Sequence, residues 1–434
     1  MSGRDKTVVV VGGGIAGIQV SLDLANMGFD VHLVERTPSI GGRMAQLDKT
    51  FPTNDCSMCI LSPKMIECAN NPRIKMHTYS ELESVKGAFP AFEVVIREKA
   101  RYVDLTRCTG CGDCVAKCPS KVSSEFDAGL VKRKAIYVPF VQAVPKKMTI
   151  DKEHCTMITK GKCGNCKKAC KAGAIDYDQK DNLITLEASA IVLATGFDVF
   201  DVTVAQEFSY GRAKNVLTSL ELERMLNASG PTGGHIIRPS DHQEPKKMAF
   251  IQCVCSRDKK YKEYCSSVCC MYATKEAILA REHCPELTST IFYMDLRAVG
   301  KGFQNFVQRA KRDYGVEYIR ARPAKVEDDP TTGDALVYYE NNKTGESIVR
   351  RYDMVVLCPA LVPTAGSESL CSILGVRIDG DKFVAIPRPA DRPVDTSVKG
   401  IFACGFCQTP MDIPDSVVQA SGAAARVAQA LGVS

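Results

Sequence analysis

The sequence has 434 residues, of which 45% are apolar and 24% charged, and its net charge is +6. This composition excludes a disordered chain and gives no reason to expect a nucleic-acid partner. The sequence has 21 cysteines, no signal-peptide pattern and no apolar run long enough to span a membrane. It therefore predicts a cytoplasmic protein whose cysteines serve metal or redox chemistry rather than disulfides.

The predicted elements begin with a βαβ unit. A β-branched run at 6–11 predicts a strand, a glycine turn follows it, and apolar residues at helical spacing predict a helix that ends near Ala25. A second buried strand is predicted at 31–34, and a further buried strand at 190–194.

From position 246 the sequence predicts a second α/β unit. Its strands are predicted at 246–252 and 290–294, and its helices at 272–282 and 303–314. The segments 317–326, 335–340 and 347–351 predict a small antiparallel sheet. Buried strands follow at 354–357 and 401–404, and a final helix at 413–431 has Pro414 in its first turn and Gly432 at its end.

The turn after the first strand carries the pattern GxGxxG, and an acidic residue follows 18 positions after its last glycine. Such glycines let a pyrophosphate approach the helix N-terminus, and the carboxylate would bind ribose hydroxyls. A later GGR motif and a strand ending in ATG resemble two-dinucleotide-domain flavoproteins and favour FAD over NAD. The residues predicted to bind FAD in these motifs are Gly12, Gly14, Ile15, Ala16, Gly17, Glu35, Arg36, Gly42, Arg43, Ala194, Thr195 and Gly196.

Eight cysteines lie in two runs within the basic segment 99–171, which has 16 basic and 6 acidic residues. The first run reads CxxCxxCxxxCP, as in bacterial ferredoxins, where the fourth cysteine ligates the other cluster; the second has a longer first gap. This spacing argues against zinc. The basic residues form a solvated face or a docking patch for an acidic partner. One [4Fe–4S] cluster is predicted on Cys108, Cys111, Cys114 and Cys170, and another on Cys118, Cys155, Cys163 and Cys166.

The second α/β unit has cysteines where a nicotinamide-binding unit would have its glycine fingerprint. A third cluster is predicted on Cys253, Cys265, Cys269 and Cys270, with Cys255 as an alternative ligand and buried structural thiols as the other interpretation. Two further pairs lie near the expected flavin. We expect them to be ordinary reduced thiols rather than a redox pair or a fourth cluster: Cys56, Cys59, Cys404 and Cys407.

Several segments resemble the heterodisulfide reductase A-subunit family over nearly the whole chain: TFPTNDCSMCILSPKM at 50–65, the ferredoxin insertion, CVCSR, YCSSVCC, and GFCQTPMDIPDSVVQASGAAARVA at 405–428. The resemblance implies an α/β, thioredoxin-reductase-like flavoprotein with two dinucleotide-binding domains and an inserted ferredoxin-like 2[4Fe–4S] domain. Its predicted parts are an FAD-binding domain (1–100, 181–240 and 356–434), the insertion (101–180) and a degenerate NAD(P)-binding-like domain (241–355).

The same resemblance places the last strand and the final helix beside the flavin. Gly405 is followed by Phe406, where the wider superfamily often has Gly-Asp, so a ribityl contact is expected from the backbone, from Gln408 or from Asp412. The helix start at Ile413 would stabilise negative charge on reduced flavin through its dipole.

Full-length family members carry further terminal iron–sulfur domains, so this compact chain is most similar to the A-subunit of the quinone-interacting membrane-bound oxidoreductases of sulfate reducers. That resemblance implies an FAD and iron–sulfur subunit that passes electrons between menaquinol and adenylylsulfate reductase. Its partners would be a second flavin/iron–sulfur protein of the same complex and a membrane haem subunit, which would hold it on the inner face of the cytoplasmic membrane.

Two alternatives remain at this point. One is a flavin-bifurcating heterodisulfide reductase subunit linked to hydrogenase or formate dehydrogenase. The other is a zinc-binding scaffold without turnover. No acid–base pair or nucleophile–histidine pair stands out, so no catalytic residue is expected beyond the cofactors.

Overall fold

The computed structural model describes residues 6–433. The first five residues and Ser434, which belong to the first and last predicted segments, lie outside the described residues. The helices within this range are α1 (Ile15–Asn26), α2 (Ser57–Asn70), α3 (Asp113–Ala116), α4 (Thr156–Lys160), α5 (Asn165–Ala169), α6 (Ser219–Leu226), α7 (Cys269–His283), α8 (Phe303–Tyr314), α9 (Ser367–Leu374) and α10 (Ile413–Ala430).

The strands of the described residues, in chain order, are β1 (Thr7–Val11), β2 (Asp30–Glu35), β3 (Lys49–Thr50), β4 (Asp55–Cys56), β5 (Ile74–Thr78), β6 (Ser80–Ala88), β7 (Ala91–Glu98), β8 (Lys121–Ser123), β9 (Lys132–Lys134), β10 (Ile136–Tyr137), β11 (Thr149–Ile150), β12 (Asn182–Ala188), β13 (Ala190–Leu193), β14 (Phe197–Val199), β15 (Val216–Thr218), β16 (Lys247–Val254), β17 (Thr288–Tyr293), β18 (Glu317–Arg320), β19 (Lys325–Asp328), β20 (Ala335–Glu340), β21 (Ser347–Tyr352), β22 (Met354–Pro359), β23 (Leu361–Pro363) and β24 (Ile401–Ala403).

The chain folds as two compact units. The first consists of the residues up to Ala45, Cys59–Phe197 and the residues from Pro363 onwards; the second consists of Gln46–Met58 and Asp198–Val362. This division differs from the predicted domains, because the segment 198–240 belongs to the second unit. The reason is strand pairing: β15 joins the second unit's sheet beside β22, with Val216 opposite Val355.

The first unit is built on a five-stranded sheet of order β24-β13-β1-β2-β5. All its pairings are parallel, and β1 and β13 are buried along nearly their whole length. Continuous apolar runs such as Val8–Val11 suit strands that are covered on both faces. The carboxyl ends of these strands meet at one edge, where α/β proteins bind their ligands.

An antiparallel sheet, β12-β7-β6, adjoins this core within the first unit, and residues 101–180 are inserted between β7 and β12. The insertion contains α3, α4 and α5 and has its own small core. That core includes four cysteines alongside aliphatic residues, among them Val103, Cys108, Cys114, Ile136, Ile150, Cys155, Cys166 and Ile175. Because so few apolar side chains fill it, the thiols themselves form much of the interior of the insertion.

The second unit has a parallel sheet of order β15-β22-β16-β17-β18 and an antiparallel sheet β19-β20-β21. The expected single antiparallel strand at 317–326 is wrong: its first part is β18, which pairs in parallel with β17, and its second part is β19. Pro323 lies in the break, where proline cannot donate a ladder hydrogen bond. No helix of residues 6–433 is long and apolar enough to cross a membrane.

Candidate cofactor-binding sites

The glycine-rich turn between β1 and α1 leaves no room for side chains. Gly12 has a φ of +109°, and a Cβ atom there would lie 2.3 Å from the carbonyl oxygen of Ala194. At Gly17, a Cβ atom would lie 1.8 Å from the carbonyl oxygen of Gly12. Because Gly14 at the N-cap of α1 has no side chain, the first-turn N–H groups of Ile15 and Ala16 face the turn openly. This geometry fits a pyrophosphate.

The second glycine motif packs directly on the first. Gly42 has a φ of +56°, a Cβ atom there would lie 2.8 Å from Gly14 Cα, and Gly41 donates its N–H to the Gly13 carbonyl oxygen at 2.7 Å. The neighbouring Arg43 donates to the Phe197 carbonyl oxygen at 3.3 Å. Two backbone loops therefore form a continuous cradle that any larger residue at these glycines would fill.

Glu35 lies at the end of β2, as expected, and is buried. Its carboxylate accepts hydrogen bonds from the backbone N–H groups of Gly13 and Thr37, both at 2.7 Å. These two bonds fix the glycine turn to the strand end and leave lone pairs for ribose hydroxyls. Arg36 points elsewhere and donates to the Ala365 carbonyl oxygen at 2.6 Å.

The later motifs reach the same edge of the sheet. Ala194 donates to the Val11 carbonyl oxygen at 2.8 Å, and Gly196, with Thr195 before it, turns the chain with a φ of +71°. Gly405 follows β24, and a Cβ atom there would lie 2.9 Å from the Ala16 Cβ atom. The structure thus brings the predicted FAD residues together from four separate stretches of the chain.

Gln408, predicted to contact the ribityl chain, forms hydrogen bonds within the protein. Its amide N–H donates to the Ala403 carbonyl oxygen at 2.5 Å, and its amide oxygen accepts from Gln419 at 3.0 Å. Gln419 in turn accepts from the Gly405 N–H at 2.7 Å. Because both ends of the Gln408 amide bond within the protein, this side chain fixes the strand end to α10, and its ribityl contact stays a prediction.

Asp412 also serves the protein itself. It is the N-cap of α10, and its carboxylate accepts the backbone N–H of Asp415 at 2.9 Å. Burial raises the pKa of this carboxyl group. Ile413 begins the helix, and Pro414 occupies the first turn as the sequence predicted. The positive end of the α10 dipole therefore lies at the same strand edge as the glycine cradle.

The insertion gathers its eight predicted ligands into two cavities. One cavity is lined by the first three cysteines of the first run and by the last cysteine of the second run, together with Val103, Met148 and Ile175. The other is lined by the last cysteine of the first run and the first three of the second, together with Ile136, Ile150 and Tyr177. The two sets are Cys108, Cys111, Cys114 and Cys170, and Cys118, Cys155, Cys163 and Cys166. This is the crosswise grouping of a ferredoxin.

The thiols of these cavities are held by short turns and by contacts to sulfur. Gly112 and Gly164, with φ of +88° and +118°, place the following cysteines on short helices. Ala174 donates its N–H to Cys170 Sγ at 3.3 Å, and Cys166 Sγ lies 3.0 Å from the Tyr177 hydroxyl. Burial raises the pKa of the Cys114 thiol to about 11. Metal coordination would offset the free-energy cost of ionising this buried thiol, because the thiolate is the form that ligates a metal.

The cysteines of the second unit meet where β16 gives way to α7. Cys269 lies between Cys253 and Cys270, and its thiol hydrogen bond lowers the pKa of Cys270 to about 7 and also lowers that of Cys253. The Arg257 guanidinium, paired with Asp295 at 2.7 Å, interacts with both Cys253 and Cys265. Among residues 6–433, no three His, Cys, Asp or Glu side chains converge on a point where a single metal ion could be coordinated.

Cys255 lies away from this group. Its side chain is buried in the apolar core of the second unit with Val254 and Phe292, and burial raises the pKa of its thiol to about 12. Residues 253 and 255 share a strand end, but the chain turns sharply between them, since Cys253, Cys255 and Arg257 all have positive φ. The structure therefore groups Cys253, and not Cys255, with the thiols of α7.

Of the cysteines near the expected flavin, Cys404 and Cys407 have the features of structural thiols. Cys404 and Cys407 are buried, and burial raises the pKa of Cys407 to about 11; its thiol donates to the carbonyl oxygens of Cys404 and Leu193 at 3.2 and 3.5 Å. Cys56 and Cys59 are exposed. The interpretation of all four as ordinary thiols stays a prediction.

The sequence analysis missed residues that contact the predicted cofactor-binding residues but are not predicted to bind a cofactor themselves. Gln419 and the Phe197–Phe406 ring pair, 4.4 Å apart between centroids, adjoin the glycine cradle. Tyr177 contacts a ligand thiol of the insertion. None has a local motif; Gln419, six residues into α10 on the face toward β24, could have been found only by projecting the predicted helix onto the strand before it.

The glycine cradle, the parallel strand edge and the neighbouring cysteine cavities define a flavin oxidoreductase with two dinucleotide-binding folds. The chain belongs to the pyridine nucleotide-disulphide oxidoreductase family, whose model matches residues 6–228. The same fold occurs in the thioredoxin reductases of Lactococcus lactis (TM-score 0.54, 15% identity, covering 98% of this chain and 99% of that one) and T. acidophilum (TM-score 0.53, 15% identity, covering 99% and 98%).

Within that family, the expected resemblance to the A-subunits of heterodisulfide reductase is supported over almost the whole chain. The chain is 50% identical over 424 residues to the iron–sulfur A-subunit of the CoB–CoM heterodisulfide reductase of Methanocaldococcus jannaschii, covering 98% of this chain and 64% of that protein. It is 49% identical over 425 residues to the A-subunit of the H(2)/formate:CoB-CoM heterodisulfide,ferredoxin reductase of Methanococcus maripaludis, covering 98% and 64%. The chain thus spans about 64% of the length of these relatives.

These findings confirm several of the predictions made from the sequence, in a more general form. The chain is an oxidoreductase subunit with a thioredoxin-reductase-like fold, and FAD is supported by that fold. The relatives are subunits of multi-protein complexes, and they favour the heterodisulfide reductase alternative over the menaquinol function. Membership of an oxidoreductase family argues against the zinc scaffold. The menaquinol, adenylylsulfate reductase and membrane haem partners remain predictions.

Proposed function

We propose that this chain is the FAD and iron–sulfur subunit of a heterodisulfide-reductase-type complex, which distributes electrons from a two-electron donor to single-electron carriers. The observation that carries the proposal is the occurrence, in one folded unit, of a dinucleotide cradle and two cavities with four thiols each. A dinucleotide site alone would fit many oxidoreductases, whereas this combination fits the conversion of electron pairs into single electrons.

Bound FAD and [4Fe–4S] clusters would supply the electron carriers, the flavin exchanging pairs of electrons and the clusters single electrons. The chain's own residues bind and insulate them. Gly12, Gly17 and Gly42 make room for the pyrophosphate, Glu35 anchors the turn, and the α10 N-terminus lies at the strand edge. The cysteine sets would hold the clusters in a largely apolar interior.

Each thiol set of the insertion has one exposed member, which gives electrons a short route to the surface. Cys111 and Cys163 are exposed, while Cys108, Cys114, Cys155 and Cys166 are buried. The surrounding segment is strongly basic, with lysines at 160, 162, 167 and 168 beside Cys163. An electron-transfer partner with an acidic face would therefore be attracted to this side of the insertion.

The proposed donor follows from the relatives rather than from the site. Several of them are named as reductases that use H(2), H(2) or formate, or ferredoxin. We propose a flavin-bifurcating role linked to hydrogenase or formate dehydrogenase. Affinity purification of the tagged chain from its own cells tests this: hydrogenase or formate dehydrogenase subunits are expected, whereas a membrane haem subunit would favour the menaquinol function.

The cofactor content is tested by counting iron, zinc, acid-labile sulfide and flavin in protein purified without oxygen. We expect about twelve iron atoms and one FAD per chain, eight of the iron atoms in the insertion. Changing Cys170 to Ser should remove the EPR signal of one insertion cluster. Cys371→Ser, at a buried thiol of α9 outside these cavities, is the matched control and should leave iron unchanged. Zinc without flavin would refute the proposal.

A further inference from the structure

Helices α6 and α7 bury a group of charged side chains in the interior of the second unit. Glu223 is 2% exposed, Lys275 1% and Glu276 1%. Charged residues are almost never buried this completely unless they are paired. One of the three has an incomplete set of partners, which distinguishes this group from an ordinary buried ion pair.

Glu223 is fully partnered. One of its carboxylate oxygens pairs with the Lys275 ammonium group, and the other accepts the backbone N–H of Asp48 at 2.9 Å. Lys275 also donates to the Lys49 carbonyl oxygen at 2.8 Å. The positive charge of Lys275 is therefore balanced by Glu223.

Glu276 has no such compensation. Its carboxyl group hydrogen-bonds with Glu223, and two carboxyl groups can share a hydrogen bond only if one of them holds a proton. Its other oxygen, Oε2, is buried without a hydrogen-bond partner among residues 6–433. An ionised Glu276 would add an uncompensated charge to this interior, which costs several kcal/mol. Burial and the neighbouring Glu223 raise its pKa well above the usual value.

The same helix connects this carboxyl group to the cysteines of the second unit. Cys269 and Cys270 begin α7, and Glu276 follows Cys269 by two turns, about 10 Å along the axis and on the same face. Tyr272 interacts electrostatically with both Glu276 and Cys269, and Cys358 interacts with Glu276, Cys253 and Cys270. Because both groups are buried, little water would screen Glu276 from a change of charge at the cysteines.

We infer that Glu276 is a proton-binding site whose affinity for the proton increases when the group of Cys253, Cys265, Cys269 and Cys270 takes up an electron. The inference rests on the proposed third cluster. Above the pKa of Glu276, the step would be one electron to the cluster, supplied by the bound flavin, and one proton from solvent to the Glu276 carboxylate; below that pKa only the electron would be taken up. The titratable and charged groups that interact with Glu276 are Glu223, Lys275, Tyr272 and Cys358; Asp48, Lys49 and His283 form a further layer, since Asp48 interacts with Glu223, Lys275, Lys49 and His283.

The test is the reduction potential of the third cluster, followed by EPR on the holoprotein as the pH is varied. Below the pKa of Glu276 the potential should be constant. Above it, the potential should fall with pH by up to about 59 mV per unit, the value for one proton per electron. In Glu276→Gln the dependence should vanish. Glu282→Gln, an exposed carboxyl on the same helix, should keep the wild-type profile.

Infrared difference spectra of reduced minus oxidised wild-type protein provide a readout that needs no variant. We expect a protonated carboxyl band that shifts on reduction and is lost in Glu223→Gln, because Glu276 would then ionise beside Lys275. A wild-type potential that does not change with pH, or a carboxyl band that does not respond to reduction, would overturn this inference alone if iron is about twelve per chain. About eight iron atoms would overturn the third cluster together with it.

Discussion

The two parallel sheets carry different chemistry at the same place in their topology. In the first unit, β1 leads through glycines into α1, and Cβ atoms at Gly12 and Gly17 would lie 2.3 and 1.8 Å from backbone oxygens. In the second unit, β16 leads into α7 through Cys253, Cys255 and Arg257, all with left-handed φ. One strand end is emptied of side chains, and the other is filled with thiols and a guanidinium.

The difference shows how residue type decides what an α/β strand edge can bind. A pyrophosphate needs close backbone and open N–H groups, which only glycine provides. The thiols of the second edge instead need a backbone bent so that side chains converge, and non-glycine residues in the left-handed region cost about 1–3 kcal/mol each. Such strain at three nearby residues indicates a functional site, because packing alone gives no reason to retain it.

The largest expected effect is at the glycine cradle. Changing Gly17 to Val would place a side chain against the Gly12 carbonyl, so we expect FAD affinity to fall more than a hundredfold, or about 2.7 kcal/mol. Titration of deflavinated protein with FAD measures this. Gly422→Ala, on α10 with no atom within 4 Å of the added methyl group, should bind FAD normally. Equal loss in both variants would contradict the role of the cradle.

The comparison is sharpened by separating the two cysteines of the second edge. Cys253→Ser should remove about four iron atoms per chain and one EPR signal, whereas Cys255→Ser should retain them, because Cys255 lies in the apolar core. Iron analysis and EPR provide the measurement. Retained iron in Cys253→Ser together with loss in Cys255→Ser would show that the ligand assignment is reversed.

The two units should also respond to pH in opposite directions. In the first, His32 hydrogen-bonds His77, which contacts Glu98, and burial lowers the pKa of His32 to about 4. The unfolded chain therefore binds more protons between pH 6.5 and 4, so stability should fall as pH falls through this window. We expect a loss of about 1 to 2 kcal/mol after allowance for solvent screening.

Denaturant unfolding at pH 7 and pH 4.5 would measure this loss, and His32→Asn should reduce it. His154→Asn, at an exposed histidine of the insertion, is the control. For Glu276 the sign is reversed: its folded pKa is raised, so its contribution to stability is lost as pH rises above 4.5. A first unit that gains stability on acidification would break this contrast.

The smallest effect is expected at Gln408, whose amide already forms hydrogen bonds within the protein at both ends. Gln408→Leu should leave FAD affinity within about threefold and lower the free energy of unfolding by about 1 kcal/mol, because the Ala403 carbonyl loses its donor. FAD titration and denaturant unfolding separate the two effects. A large loss of FAD affinity without loss of stability would support the predicted contact between Gln408 and the ribityl chain.

Much of what was predicted correctly from the sequence came from local motifs. The GxGxxG turn and the CxxC spacings act within a few residues, so their geometry follows from sequence alone, and β1, α8 and β20 were predicted within a residue of their observed bounds. The antiparallel sheet β12-β7-β6 and helices α2, α6 and α9 were not predicted. Helices α6 and α9 have only eight residues each, α2 contains Pro63 in its interior, and tertiary packing stabilises these elements.

The sequence by itself determined the family and predicted the cofactor chemistry, from glycines at one strand end, three groups of cysteines, and segments that resemble a known oxidoreductase family. Tertiary structure decided which side chains share a site. It directed Cys253 to α7 and Cys255 to the core, used Gln408 to fix a strand end, and placed Glu276 against Glu223. Such contacts join residues tens of positions apart, and only the packing of helices and strands determines which of them meet.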